Sequence, residues 1–160
     1  MKTIENLITD IIYDYVYLKE LNQVRVDLHK TDDFIDRTIF LYARTIILNG
    51  LSLTSKTTKN DDLCIDRTKI DEKSLNILNK FQEKYRIYRN KEIAHTTSTN
   101  IDVPTALNDL KEIVDVLNLY KSNNGKMCNV EYIASNTITE GMKRYLNYMI
   151  ENSKNQPKIS

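Results

Sequence analysis

The sequence predicts an all-α fold, an antiparallel bundle of four to five helices. Three observations point to it. Only 3 glycines and 2 prolines interrupt 160 residues, too few breakers for a sandwich of short, turn-separated strands. Apolar residues recur at steps of three and four in several long segments, the period of a helix with one face buried. Helix-starting residues stand before three of those segments: Thr31-Asp32-Asp33, Asp71 and Pro104. A hydrophobic fraction of 41% with 28% charged residues reads as a folded domain rather than a disordered chain.

The first helix is expected from about Thr3 to Leu28. Ile4, Ile8, Ile11, Tyr15 and Leu18, then Leu21 or Gln23, form one stripe, while Tyr13 and Tyr17 lie off it. A helix apolar on two faces packs against more than one neighbour, within the fold or in a dimer. The second opens at Thr31, with Asp32 and Asp33 favouring the positive end of its dipole. Its run from Phe34 to Leu48 reads as the most buried helix, and Gly50 as its stop.

Residues 51–70 are rich in Ser, Thr, Asn and Asp and read as a long polar connection. Asp71 then caps the third helix. Its stripe is Leu75, Leu78, Phe81, Tyr85 and Tyr88, and the same steps extend to Glu92 and His95. A loop covers 96–102. The fourth helix carries Pro104 in its first turn and Leu107, Leu110, Val114, Leu117 and Tyr120 on its core face, and Asn123-Asn124-Gly125 ends it. The stretch 126–135 is ambiguous. A fifth helix over about 137–152 carries Ile138, Met142, Tyr145, Leu146 and Met149. The expected organisation is one helical domain over residues 1–152, followed by a disordered polar tail over 153–160.

Charge and cysteine usage narrow the function classes. Lys and Arg number 23 against 22 Asp and Glu, a formal net charge of +1. No global field draws nucleic acid, so an RNA-binding surface has to be a local patch. Cys64 and Cys128 stand apart, in no CxxC or Cys/His cluster. No zinc site, no metal and no cofactor is therefore expected, and both thiols read as reduced in a cytoplasmic protein. The N-terminus lacks the pattern of a signal peptide, and no apolar run is long enough to span a bilayer.

One stretch concentrates chemistry: Tyr85-Arg86-Ile87-Tyr88-Arg89-Asn90-Lys91-Glu92-Ile93-Ala94-His95-Thr96. It gathers Arg, Asn, Lys, Glu and His at the end of an otherwise amphipathic helix. Arg89-Asn90, four further residues and then His95 resembles the Arg-(4–6 residues)-His signature of the HEPN superfamily. The polar residue directly after the arginine and the Ala94-His95 ending are both typical of it. The place of the motif, late in the third helix of a bundle, agrees. The variant most similar is the abortive-infection type of HEPN, linked with bacterial antiviral and toxin systems. The resemblance covers the second through the fourth helix.

The resemblance implies a metal-independent endoribonuclease with Arg89 and His95 as catalytic residues, and the residue types suit that reaction. The RNA 2′-hydroxyl loses a proton as it attacks the adjacent phosphorus, and the 5′-oxygen gains one as it leaves. Histidine handles such protons near neutral pH. Arginine donates two parallel hydrogen bonds to phosphate oxygens and stabilises the charge that grows there. The products are a 2′,3′-cyclic phosphate and a 5′-hydroxyl.

Two geometric difficulties arise. Six residues separate Arg89 from His95, roughly 120° around an ideal helix, so either the helix breaks between them or they converge from two sides of a cleft. Acid–base cleavage also wants two proton carriers, and the motif holds one. A symmetric homodimer with these helices facing resolves both by bringing two Arg89 and two His95 into one groove. Asn90, Lys91 and Arg86 are the candidate substrate-binding residues: Asn90 for phosphate or for orienting His95, Lys91 for the RNA backbone, Arg86 one turn before Asn90. Glu92, three residues before His95, is placed to hold its imidazole.

Plainer readings stand beside these. His95 lies on the extended core stripe, where a lone histidine is often a half-buried ring. Lys84, Arg86, Arg89 and Lys91 also suit a solvated face. His29 sits at a helix end, where its charge favours the dipole. Tyr85 and Tyr88 read as core packing, with base stacking as the rival role. The alternative function is a non-catalytic HEPN-like module binding nucleotide, RNA or a partner protein such as an antitoxin. A purely structural helical domain is the third.

Overall fold

The computed structural model describes residues 3–28, 33–55, 64–94 and 102–124, together with positions 140, 141, 144 and 148. Among these residues the protein is an all-α bundle without strands. Helix α1 spans Ile4–Leu28, α2 Asp33–Leu53, α3 Glu72–Ala94 and α4 Val103–Asn124, with a single 3₁₀ turn, Arg67–Lys69, between α2 and α3.

Side chains satisfy free amides where α1 and α3 begin. Thr3 Oγ1 accepts from the Asn6 amide at 3.2 Å to open α1. Asp71 opens α3, its Oδ1 accepting from the Ser74 amide at 2.9 Å and its Oδ2 from the Ser74 hydroxyl at 2.7 Å. Those bonds hold the Asp71 carboxyl below the usual carboxylate range. Asp102 opens α4, accepting from the Thr105 hydroxyl, and Pro104 occupies the first turn where its missing N–H costs nothing.

α1 and α2 lie antiparallel. Arg25 meets Asp36 at 2.8 Å, and one layer deeper the rings of Tyr17 and Tyr42 pack with centroids 4.8 Å apart. α2 and α4 touch each other and form the shared centre, with α1 against both and α3 against both. Ile8, Ile11, Leu18, Ile39, Ile46, Leu78, Leu110 and Ile113 fill the space between them. The expected stripes hold: Ile8, Ile11, Tyr15 and Leu18 of α1, Leu78, Phe81 and Tyr85 of α3, and Leu110, Val114 and Leu117 of α4 are all buried.

Two expectations are corrected. Gly50 does not end α2, which runs on to Leu53. Gly50 is an interior packing position: a Cβ there would lie 3.3 Å from two ring carbons of Phe81, so its bare backbone admits the ring of α3. The connection over 51–70 is shorter and less polar than its composition suggests. Leu51 and Leu53 belong to α2, and Leu51, Leu53 and Ile65 are core residues. The expectation that α2 is the most buried helix holds: Ile35, Ile39, Ala43, Ile46, Ile47, Leu51 and Leu53 are all core residues.

Residues 56–63, His29, the stretch 126–135 and the tail 153–160 lie outside the described residues. Of the fifth helix, the described positions 140, 141, 144 and 148 are helical and exposed. The other residues of 137–152, Ile138 and Met142 among them, lie outside the described set.

Candidate functional site

The motif sits at the C-terminal end of α3, and what positions it is the way that helix is anchored along its length. Near its start, α3 is tied to the end of α2. Gln82 Nε2 donates to the Leu51 carbonyl at 2.8 Å and to Thr54 Oγ1 at 2.6 Å. Arg67 donates to the Thr54 carbonyl at 2.8 Å and to Asn79 Oδ1 at 2.6 Å. These bonds satisfy carbonyls that the end of α2 would otherwise leave open. Burial pulls the Arg67 guanidinium below its ordinary pKa.

The middle of α3 is tied to α4. Phe81, Tyr85 and Tyr88 form a ladder of tilted rings with centroids 4.9 Å and 5.5 Å apart. Tyr85 Oη donates to Asp109 Oδ2 at 2.5 Å, and Lys84 Nζ reaches the same oxygen at 2.5 Å. The Lys84 ammonium also stands 5.6 Å from the Tyr85 ring centroid. Burial, then the hydrogen bond to Asp109 and the neighbouring negative charge, push the Tyr85 phenol far above its usual range. Tyr85 is thus a neutral donor whose hydroxyl is committed to Asp109. It is a packing residue, as read, and not a stacking platform. Tyr88 is partly buried against the same core.

Beyond this ladder α3 continues into the motif. Arg86 is exposed, and so is Ile87, at 58%. Arg89, Asn90 and Lys91 lie on α3, which is unbroken through Ala94. Four of the five candidate site residues therefore share one rigid element. Their side chains, apart from that of Arg86, and the whole of His95 lie outside the described residues. α3 shows no break from Arg89 to Ala94, and the step from Ala94 to His95 lies outside the described residues.

No protein-family model, curated protein or solved structure matches this chain.

Among the described residues no group of three His, Cys, Asp or Glu is placed to hold a metal ion, and no helix is long and apolar enough to cross a membrane. Asp109 is the residue that reading the chain missed. It receives both Lys84 and Tyr85 and fixes the α3–α4 angle just before the motif. An acid beside the core residue Leu110 is a signal of a buried partner, but the chain contains nothing that names residues 84 and 85 as that partner. Cys64 lies partly buried with its Sγ 3.2 Å from the Ser52 carbonyl; Cys128 is outside the described residues.

Proposed function

We propose that this chain is a metal-independent endoribonuclease of HEPN type that acts as a homodimer, in phage defence or as a toxin held in check by an antitoxin or other regulatory protein. The observation that carries the reading is Arg89-Asn90…His95 at the end of the third helix of an all-α bundle, on a helix continuous through Ala94. In this reading Arg89 binds the scissile phosphate and stabilises the charge that develops on it. His95 of one protomer takes the 2′-hydroxyl proton, and the same residue of the second copy protonates the leaving 5′-oxygen. Asn90, Lys91 and Arg86 bind the strand. The tie of Tyr85 and Lys84 to Asp109 supports the reading by making the preceding turn of α3 a fixed base from which the motif extends.

The test is cleavage of a labelled RNA pool by purified protein in excess EDTA, beside Arg89→Ala and His95→Ala. Cutting by the wild type alone, with cyclic-phosphate ends, is the expected result. Absence of cutting by all three folded, dimeric proteins would overturn the nuclease reading in favour of a binding module.

A further inference from the structure

A row of lysines runs along α3. Lys73, Lys80 and Lys84 are exposed, and Lys91 follows on the same helix. At about 100° per residue these four positions fall within about 40° of one another, and from 73 to 91 the row covers about 27 Å. No acidic residue of α3 shares that sector: Glu72 and Glu83 lie about 60° or more to one side, and Glu92 about 80° to the other. Ile87, 58% exposed, lies beside this line, about 40° from Lys91.

In a chain of net charge +1, the exposed lysines of this line repel one another. Lys84 is partly compensated by Asp109, at 2.5 Å. Asp109 and Glu112 line the far wall of a groove of about 190 Å³ floored by Ile77 and Phe81, with Lys80 and Lys84 on the near wall. The carboxylates are thus gathered on the α4 side and the ammonium groups on the α3 side. Lys73 and Lys80 remain turned to solvent.

We propose that this row is a binding track for the phosphodiester backbone of single-stranded RNA, holding the strand along the exposed face of α3. The inference rests on reading the chain as one that acts on RNA. Lysine suits the task because a flexible point charge meets a phosphate without selecting the base. A single strand suits the row because its backbone is free to follow a straight line of charge. The track binds without regard to sequence, so it supplies affinity and leaves any choice of cleavage site to other contacts.

The test is binding of a labelled 2′-O-methyl oligoribonucleotide, which lacks the attacking hydroxyl, in EDTA over a range of salt concentrations. Each phosphate contact contributes about 0.7 to the slope of log affinity against log salt. Lys73→Ala/Lys80→Ala is expected to reduce the magnitude of the slope by about 1.4. Lys19→Ala, an exposed lysine on α1, is expected to keep the wild-type slope. An unchanged slope in the double variant would remove the track. So would displacement of the strand by polyglutamate as readily as by unlabelled RNA, which would mark the row as a surface for an acidic protein. The outcomes separate from those of the nuclease assay. RNA cut by the wild type with no slope change removes the track alone, and a slope change with no cutting by any protein removes the nuclease alone.

Discussion

The two halves of α3 differ in what they do with polar groups. From Asp71 to Gln82 nearly every described polar contact turns inward: Ser74 to Asp71, Asn79 to Arg67, Gln82 to Leu51 and Thr54, with Phe81 seated on the bare backbone of Gly50. From Lys84 onward one acid, Asp109, holds the helix, and the next residues, Arg86 and Ile87, face solvent. The difference teaches that the first half is held along its inner face and presents only its outer face, with Lys73 and Lys80, whereas the second half is presented more broadly. Polar side chains that are satisfied internally fix a geometry, whereas those left to water are available to a ligand.

The contrast is open to breakage at graded cost. Phe81→Ala in the held half should have the largest effect. The ring is 4% exposed, and its removal opens a cavity against Gly50 worth about 3–5 kcal/mol in urea-induced unfolding. A cost under about 1 kcal/mol would show that α3 does not depend on this seat.

Tyr85→Phe, at the boundary, should cost about 1.5–3 kcal/mol, the range for a hydrogen bond to a charged group. It also carries a pH signature. The folded-state pKa of Tyr85 is raised, so its contribution is fully present below the unfolded phenol value near 10 and is lost as pH rises toward the folded value. Between those limits the wild type should lose about 1.4 kcal/mol of stability per pH unit through this residue. The variant should lack that component. Parallel stability profiles of the two proteins above pH 10 would contradict the assignment.

Arg86→Ala, in the presented half, should change stability by less than about 0.5 kcal/mol. On the proposed function it should nevertheless weaken RNA binding and reduce the magnitude of the salt slope by about 0.7. A stability loss larger than that of Tyr85→Phe would erase the distinction between the halves.

Much of the bundle was legible along the chain because helix periodicity, caps and breakers are local. Thr3, Asp71 and Pro104 open their helices as read, and the stripes of α1, α3 and α4 point inward. The misreadings fell where a distant residue overrode a local preference. Glycine is a poor interior helix residue, yet Gly50 sits inside α2 because Phe81 needs the space a side chain would take. The composition of 51–70 is polar, yet Ile65 is drawn into the core by the bundle above it.

By itself, then, the sequence determined the helical class, the places where α1, α3 and α4 start, the residues that face inward and the motif at the end of the third helix. Each of these depends on spacing within a few turns, which the order of residues carries directly. Tertiary structure alone decided which polar groups meet. Asp109 serves Lys84 and Tyr85, and Arg67 closes the end of α2, because partners 13 to 25 residues apart are chosen by the packing of helices against one another. Helical phase likewise placed Lys73, Lys80 and Lys84 on one line, but it was the docking of α3 against α2 and α4 that left that line facing water.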